Sequence, residues 1–242
     1  MILEFDLGNT AAKWRLLRES SVVASGRVNE LAALDIPMDE PVAKVRVASV
    51  AGEERERELT RWCAEHLGVA PKFARSSSLC AGVSNAYEEP ERLGVDRWLA
   101  VIAAFHRHPE GALVVDAGTA LTIDLVDARG EHLGGYILPG LNLMQQSLRQ
   151  DTARIRYTEA HAPDLKPGKS TAEAVANGAA LAAAASVAAA RVQARERLGD
   201  NCAALLTGGD APLLMRLLGE KAGDFAYSPD LVLDGLVLAC PD

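Results

Sequence analysis

Apolar segments follow the same order in two parts of the chain. The first series predicts strands over 1–6, 13–18 and 21–28, with a Gly-Asn-Thr turn after the first, and an alternating strand over 44–50. The stretch "EERERELTRWCAEHLG" predicts a helix that Gly68 ends, and "PKFARS" predicts a last short strand. The first series is therefore three antiparallel strands followed by strand, helix and strand.

The second series begins with "ALVVDAGTALTIDLVD". It predicts strands over 112–116, 121–126 and 132–138, a helix "NLMQQSLRQ", an alanine-rich helix over 171–198 that Gly199 ends, a strand "CAALLTG", and helices over 212–219 and 230–240. Both series place Asp-x-Gly at the end of their first strand, roughly half the chain apart. We therefore expect an α/β fold of two similar halves, 1–85 and 86–242, each a mixed sheet flanked by helices.

The segment "SNAYEEPERLGVDRWLAVIAAFHRH" lies between the two series and belongs to neither. Its second half is apolar at helical spacing, with Trp98, Leu99, Ile102 and Phe105 on one face. The tetrapeptide "GVDR" is therefore expected at or near a helix N-terminus.

Composition narrows the possible partners. The chain has 242 residues, 49% of them hydrophobic, which is typical of a globular protein. A formal charge of −8 disfavours a sequence-independent grip on nucleic acid, which needs lysine and arginine to displace counterions. No nucleic-acid partner is expected, and a small molecule is favoured.

The cysteines and the apolar runs indicate the compartment. The four cysteines are widely spaced and form no C-x-x-C pair, so neither a disulfide framework nor a zinc site is indicated. Glu4 and Asp6 interrupt the first apolar run, unlike a secretory leader. The alanine-rich stretch over 171–194 carries charged residues such as Glu173 and Arg191, so we expect it not to span a bilayer. No membrane partner and a cytoplasmic location are expected.

The two Asp-x-Gly turns are suited to phosphate. Glycine lets backbone amides approach a ligand closely, threonine and asparagine add donors, and an aspartate at a strand end can hold a metal ion. Lys13 can neutralise charge on a transferring phosphoryl group. Each turn alone is better explained as an ordinary glycine hairpin, with Asp and Thr satisfying the turn. Two copies in matched context favour phosphate binding.

The motifs "DLGNTAAKW", "GVDRW", "VDAGTALTID", "GGYILPG" and "LTGGDA" resemble, in their order and separation, those of type III pantothenate kinases. That family belongs to the actin/Hsp70/sugar-kinase superfamily, so the resemblance implies duplicated ribonuclease-H-like (actin-like ATPase) halves. It also implies ATP-dependent phosphorylation of pantothenate to 4'-phosphopantothenate, the first step towards coenzyme A.

The resemblance implies a role for each matching residue. The ATP phosphates would be bound by Asp6, Leu7, Gly8, Asn9, Thr10, Ala11, Ala12 and Lys13, with further ATP contacts from Thr119, Gly208 and Gly209. Asp6 would lie near Mg²⁺, and Asp116 matches the ligand of a potassium or ammonium ion. Pantothenate would be bound by Tyr87, Gly94, Val95, Asp96, Arg97 and Thr171, with Asp96 the catalytic base and Thr171 reaching across a homodimer interface.

Several of these residues have structural alternatives. Asp96 is also explained as a helix N-terminal carboxylate or as an ion-pair partner of Arg97. Thr171 or Ser170 suits the N-cap of the long helix, and Asp210 suits the N-cap of the next. The string "PGKST" at 167–171 ends like a P-loop, but Pro163 stands where the signature needs glycine, so we reject that interpretation.

Two rival functions remain open at this point. A kinase of the same fold acting on a sugar or another small alcohol would use the same two turns. Some relatives of type III kinases are described as accessory factors in transcriptional activation. The presence of Asp6, Lys13, Asp96, Asp116 and Thr119 favours catalysis.

Overall fold

The computed structural model describes residues 1–151 and 161–241. The chain divides into two compact units, the first comprising Met1–Ala103 with Asp230–Asp242, and the second comprising Ala104–Pro229. The division falls inside a helix, not at the boundary after residue 85 that the sequence suggests. The C-terminal segment returns to the first unit because its helix packs on that unit's sheet.

The helices and strands closely follow the hydrophobic pattern. In chain order the strands are β1 (Ile2–Leu7), β2 (Ala12–Arg18), β3 (Ser21–Val28), β4 (Lys44–Ser49), β5 (Pro71–Phe73), β6 (Leu79–Cys80), β7 (Val83–Ser84), β8 (Ala112–Ala117), β9 (Ala120–Val126), β10 (His132–Pro139), β11 (Ala203–Thr207) and β12 (Ala226–Tyr227). The α-helices are α1 (Glu53–His66), α2 (Val95–Arg107), α3 (Leu141–Asp151), α4 (Thr171–Leu198), α5 (Ala211–Leu218) and α6 (Leu231–Ala239). Short 3₁₀ helices cover Leu31–Ala33, Pro90–Arg92 and Gly219–Asp224.

The two large sheets have the same plan. The first has the order β3-β2-β1-β4-β5 and the second the order β10-β9-β8-β11-β12. In each, the first three strands are antiparallel and the last two run parallel to the first. The predicted duplication is therefore confirmed at the level of topology. The β6–β7 hairpin and β12 were not predicted, because two-residue strands carry no periodicity.

Alternation along β1 assigns its two faces. Leu3, Phe5 and Leu7 are fully buried and join a core with Leu59 and Cys63 of α1. The opposite face carries Glu4 and Asp6, as a period of two requires.

Helix α6 is fixed to this opposite face by buried charges. The Arg15 guanidinium donates to Glu4 Oε2 at 2.6 Å and to Asp234 Oδ1 of α6 at 2.6 Å. Arg46 donates to the other oxygen of Glu4 at 3.1 Å. Because a buried carboxylate is costly unless it is paired, these bonds hold α6 in place on the sheet.

The second unit is built on α4. Its alanines at 180, 183 and 194 and Val187 pack in a core with Leu113 and Val115 of β8. Helix α4 is long and apolar enough to cross a membrane by length and composition alone, although it carries Glu173 and Arg191. More than half of its most apolar window is buried within the structure, as in the core helix of a globular unit.

Candidate functional site

The first Asp-x-Gly turn joins β1 to β2. The Gly8 N–H donates to the Ala11 carbonyl at 3.0 Å, and a Cβ on Gly8 would lie 3.3 Å from that oxygen. Asn9 and Thr10 are exposed at the tip. The side chains of Leu7, Ala11 and Ala12 are buried, so only their backbone groups can face a ligand. Exposed amide and hydroxyl donors on a tight glycine turn are suited to phosphate oxygens.

Three charged residues stand in a row behind this turn. In the strand register, Asp6 of β1 lies opposite Lys13 of β2, and Lys13 lies opposite Arg27 of β3. Directly paired residues share a face, so the row crosses one side of the sheet. The Lys13 ammonium also lies 2.7 Å from Asp230 Oδ1, immediately before α6. No local motif indicates Arg27 or Asp230, because strand pairing and helix packing bring these two residues next to Lys13.

Asp6 lies beside one carboxylate and two cations, and its pKa is raised. Desolvation by burial and the negative charge of Asp96 raise the pKa of Asp6 to about 6, against the opposing charges of Lys13 and Arg27. Two neighbouring carboxylates that repel each other suit a hard divalent cation, which relieves the repulsion. Mg²⁺ commonly takes one or two carboxylates and completes its shell with phosphates and water. Asp6 and its surroundings therefore fit the magnesium role.

Asp96 lies in the first turn of α2, directly against Gly94. Its Oδ1 accepts the Arg97 backbone N–H at 2.7 Å, and a Cβ on Gly94 would come within 2.7 Å of that oxygen. The Trp98 N–H bonds the Gly94 carbonyl at 3.0 Å and starts the helix. Glycine at 94 therefore leaves room for the Asp96 carboxylate, which explains the Gly-Val-Asp spacing. Val95 is buried and supplies packing.

Arg97 connects this helix start to Tyr87. Its guanidinium donates to the Tyr87 hydroxyl at 2.8 Å and lies 5.8 Å from the ring centroid. The Tyr87 N–H in turn donates to the Asn85 side chain at 3.0 Å. The fold thus brings together Gly94, Asp96, Arg97 and Tyr87, four of the residues predicted for the substrate.

The second Asp-x-Gly turn joins β8 to β9. The Gly118 N–H donates to the Ala120 carbonyl at 3.0 Å, so this turn closes two residues on, one residue tighter than the first turn. Asp116 pairs with Thr122, so threonine stands where the first unit has Lys13. Thr119 is exposed at the tip. The two turns match in place, and only the first carries a lysine.

Glycines from two other motifs pack against this second turn. Gly140, the last glycine of "GGYILPG", donates to the Thr119 carbonyl at 3.0 Å, and a Cβ there would lie 2.2 Å from the Gly118 oxygen. Gly208 has a φ of +92°, and its Cβ would lie 2.4 Å from Asp116 Oδ1. Gly209 is exposed beside it. The motif "LTGGDA" therefore lies against the Asp116 carboxylate, a contact that sequence reasoning missed.

The starts of α5 and α4 test the N-cap roles that the sequence suggests for Asp210 and for Ser170 or Thr171. Asp210 occupies the N-cap position of α5, but its side chain makes no capping hydrogen bond there. Ser170 caps α4 by accepting the Glu173 N–H at 3.2 Å, which leaves Thr171 exposed as the first helical residue. Residues 161–170 contain no strand leading into "GKST", so the rejection of a P-loop is supported within the described part of the chain.

Thr171 lines an open groove between α3 and α4. The groove has a volume of about 540 Å³, and its lining is largely apolar. Its other lining residues are Met144, Ser147, Leu148, Ala174, Val175, Gly178 and Ala179.

Within the described residues, no cluster of three or more histidine, cysteine or acidic side chains could hold a metal.

Two sheets with the same strand order, each with an Asp-x-Gly turn after its first strand, define an actin-like ATPase fold. Two solved structures share it: a Campylobacter jejuni protein assigned to the Baf family of transcriptional activators (TM-score 0.60, 24% identity, 96% of this chain and 94% of that one) and MreB5 of Spiroplasma citri bound to AMPPNP (TM-score 0.51, 13% identity, 97% and 94%). These likenesses concern the fold alone.

The sequence comparison is more specific. The family model of type III pantothenate kinase matches residues 2–193. A type III pantothenate kinase of Pseudomonas putida (strain W619) is 41% identical over 251 residues, which cover 100% of this chain and 99% of the relative. The chain belongs to the type III pantothenate kinase family.

Proposed function

We propose that this chain transfers the γ-phosphoryl group of ATP to the primary hydroxyl of pantothenate, the first step of coenzyme A synthesis. The observation that carries the proposal is the placement of Asp96: its carboxylate lies against Gly94 at a helix start and near enough to Asp6 to raise the pKa of Asp6. An acceptor hydroxyl over Asp96 would thus meet a base beside the phosphate turn. Family membership supplies the identity of the acceptor.

Residues of the first unit have separate roles in phosphoryl transfer. Asp96 accepts or orients the proton of the attacking hydroxyl, while Tyr87 and Arg97 help to hold pantothenate. The turn from Asp6 to Lys13 binds the phosphates, and Lys13 neutralises charge as the phosphoryl group moves. Asp6 would hold Mg²⁺, which neutralises phosphate charge when bound.

The Lys13–Asp230 ion pair fits the same role. A lysine in a 2.7 Å contact with a carboxylate is held in one orientation without ATP. Both side chains are partly exposed, at 31% and 44%, so solvent screens the pair and the lysine can exchange partners at low cost. Asp230 therefore orients Lys13 but leaves it able to bind phosphate instead.

The second unit contributes ATP contacts and a monovalent cation site in this proposal. Thr119, Gly208 and Gly209 are assigned to ATP, and Asp116 to potassium or ammonium. The close approach of Gly208 to Asp116 Oδ1 and to the Ala117 carbonyl brings oxygens of two kinds together. Carboxylate and carbonyl oxygens are the ligands that hard cations take.

The active unit is proposed to be a homodimer in which Thr171 reaches the partner's pantothenate. The support is the exposure of Thr171, which lines an apolar groove, and the small residues of α4, which allow close packing. The reaction is placed in the cytoplasm, where the free thiols of Cys63, Cys80, Cys202 and Cys240 fit a reducing environment.

The test is a direct assay. Purified protein is incubated with ATP, Mg²⁺ and potassium, together with pantothenate or a panel of sugars, and ADP formation is followed. The proposal expects ADP with pantothenate and only background with sugars. ADP formation with a sugar and not with pantothenate would assign another acceptor to the same fold.

A further inference from the structure

Arg55 connects two loops of the first unit that are far apart in sequence. It lies in the first turn of α1, and its guanidinium donates to the Asn9 carbonyl at 2.7 Å and to the Asn29 carbonyl at 2.7 Å. Asn9 belongs to the phosphate turn, and Asn29 follows β3, two residues after Arg27. One side chain thus holds both the turn and the end of the charged row behind it.

The bond to Asn9 controls the direction of a backbone donor. The Asn9–Thr10 peptide is trans, and in a planar trans peptide the carbonyl and the following N–H point in opposite directions. Because Arg55 draws the Asn9 carbonyl towards α1, the Thr10 N–H points away from α1. Asn9 and Thr10 are exposed, so without such a bond this peptide could rotate.

The guanidinium group is suited to this task. Its planar fork presents several N–H donors in a fixed geometry, so one arginine can hold two carbonyls at once. A lysine ammonium is a point charge on a flexible stem and would hold one carbonyl at a time less rigidly. The neighbouring acidic residues Glu53, Glu54 and Glu56 make this helix start a poor anion site, so Arg55 is not explained as a phosphate ligand itself.

We propose that Arg55 is a positioning residue for ATP: by holding the Asn9 and Asn29 carbonyls, it orients the Thr10 N–H towards the phosphates. This inference rests on the proposed function, in which the turn from Asp6 to Lys13 binds those phosphates. Arg55 acts through the backbone and contacts no substrate. Loss of this Arg55 clamp, the two bonds to the Asn9 and Asn29 carbonyls, should therefore weaken binding of the ATP phosphates and leave pantothenate binding unchanged.

The experiment compares R55A and R55K with R57A. Arg57 is on the same helix, is exposed, and pairs only weakly with Glu53 at 3.7 Å, so its removal matches the loss of charge. We expect R55A to raise the KM for ATP by about 10-fold or more, with R55K between R55A and wild type. The KM for pantothenate should stay within about 2-fold, and R57A should behave as wild type.

Calorimetry adds a readout that needs no acceptor. R55A should bind a non-hydrolysable ATP analogue more weakly and bind adenosine as the wild type does, because adenosine has no phosphates. An unchanged affinity for the analogue in R55A, or a parallel rise of both KM values, would overturn the clamp. If R55A does not fold, R55K carries the same comparison, and an unchanged KM for ATP in R55K overturns the inference.

A Lys13→Ala variant separates this inference from the proposed function. If K13A weakens ATP use and folded R55A does not, the turn binds phosphate and only the role of Arg55 fails. If K13A binds the analogue as tightly as the wild type does, the assignment of the turn to phosphate fails, and with it the basis for the clamp.

Discussion

The Asp96 carboxylate and Gly94 are so close that a Cβ on Gly94 would come within 2.7 Å of Asp96 Oδ1. The atom that must give way is the end of a side chain, and the backbone of α2 can stay in place. A methyl group at residue 94 therefore disturbs the proposed base more than it disturbs the fold.

Gly94→Ala should reduce kcat by about 100-fold, since a misplacement of about 1 Å at a reacting group is that costly. The thermal unfolding temperature should change little, because the crowded atom belongs to a movable side chain. Gly223→Ala is the matched control, as a Cβ there meets nothing within 4 Å. If the unfolding temperature of G94A falls far enough to account for the lost activity, Gly94 has a packing role alone.

Asp96→Asn should lower kcat by about 10²–10⁴, because an amide keeps the shape of the carboxylate but cannot take the hydroxyl proton. Binding of ATP should remain near normal when measured by calorimetry. Glu91→Gln, on the preceding exposed 3₁₀ helix, is the control for removal of an acidic side chain. Near-normal turnover in D96N would remove Asp96 from the mechanism.

Activity should require potassium or ammonium in addition to Mg²⁺, with sodium serving poorly because its size and hydration differ. Asp116→Asn should abolish the preference for potassium. Gly208→Ala should weaken it, since its Cβ would lie 2.4 Å from Asp116 Oδ1 in a backbone conformation with a φ of +92°. Steady-state rates in sodium-only and potassium-only buffers measure the effect, and equal rates for the wild type would contradict the assignment.

Thr171→Ala should raise the KM for pantothenate more than that for ATP, by the value of one hydroxyl contact, about 0.5–1.5 kcal/mol. Mixing D96N chains with T171A chains tests whether the site is shared. If each site takes Asp96 from one chain and Thr171 from the other, a heterodimer carries one doubly damaged site and one unmutated site, so activity should recover. No recovery despite verified subunit exchange would place the whole site within one chain.

Asp127 should make the hairpin between β9 and β10 sensitive to acid. Burial favours a higher pKa, but the N–H groups of Glu131 and Arg129 and the Arg129 guanidinium outweigh it and lower the pKa of Asp127. A carboxyl with a depressed folded-state pKa adds stability above its unfolded pKa of about 4 and loses it as the pH falls through the folded value.

Asp127→Asn should therefore cost about 1 kcal/mol of unfolding free energy at pH 7 and progressively less below pH about 4. Urea unfolding at several pH values measures the difference, with Glu220→Gln, an exposed carboxylate on a 3₁₀ helix, as the control. A penalty that is independent of pH would show that the charge of Asp127 does not matter.

Local pattern determined the order of the elements and the location of both Asp-x-Gly turns. Strand alternation, helical spacing and glycine stops act over a few residues, so the bounds of β1, β8, α1 and α4 follow from them closely. A cap of α4 by Ser170 or Thr171 was predictable for the same reason, and the structure selects Ser170. The chemistry of the turns was also readable, because Asp, Gly, Asn and Thr stand side by side in the chain.

Tertiary structure alone decided which residues from different elements contact one another. The contacts of Arg55 with Asn9, Lys13 with Asp230, Arg97 with Tyr87 and Gly208 with Asp116 join residues from different elements. Each depends on which strands pair and on which face a helix packs, and no local periodicity records that choice. The same holds for α6, which joins the first unit because the buried carboxylate of Glu4 needs Arg15, and Arg15 in turn binds Asp234.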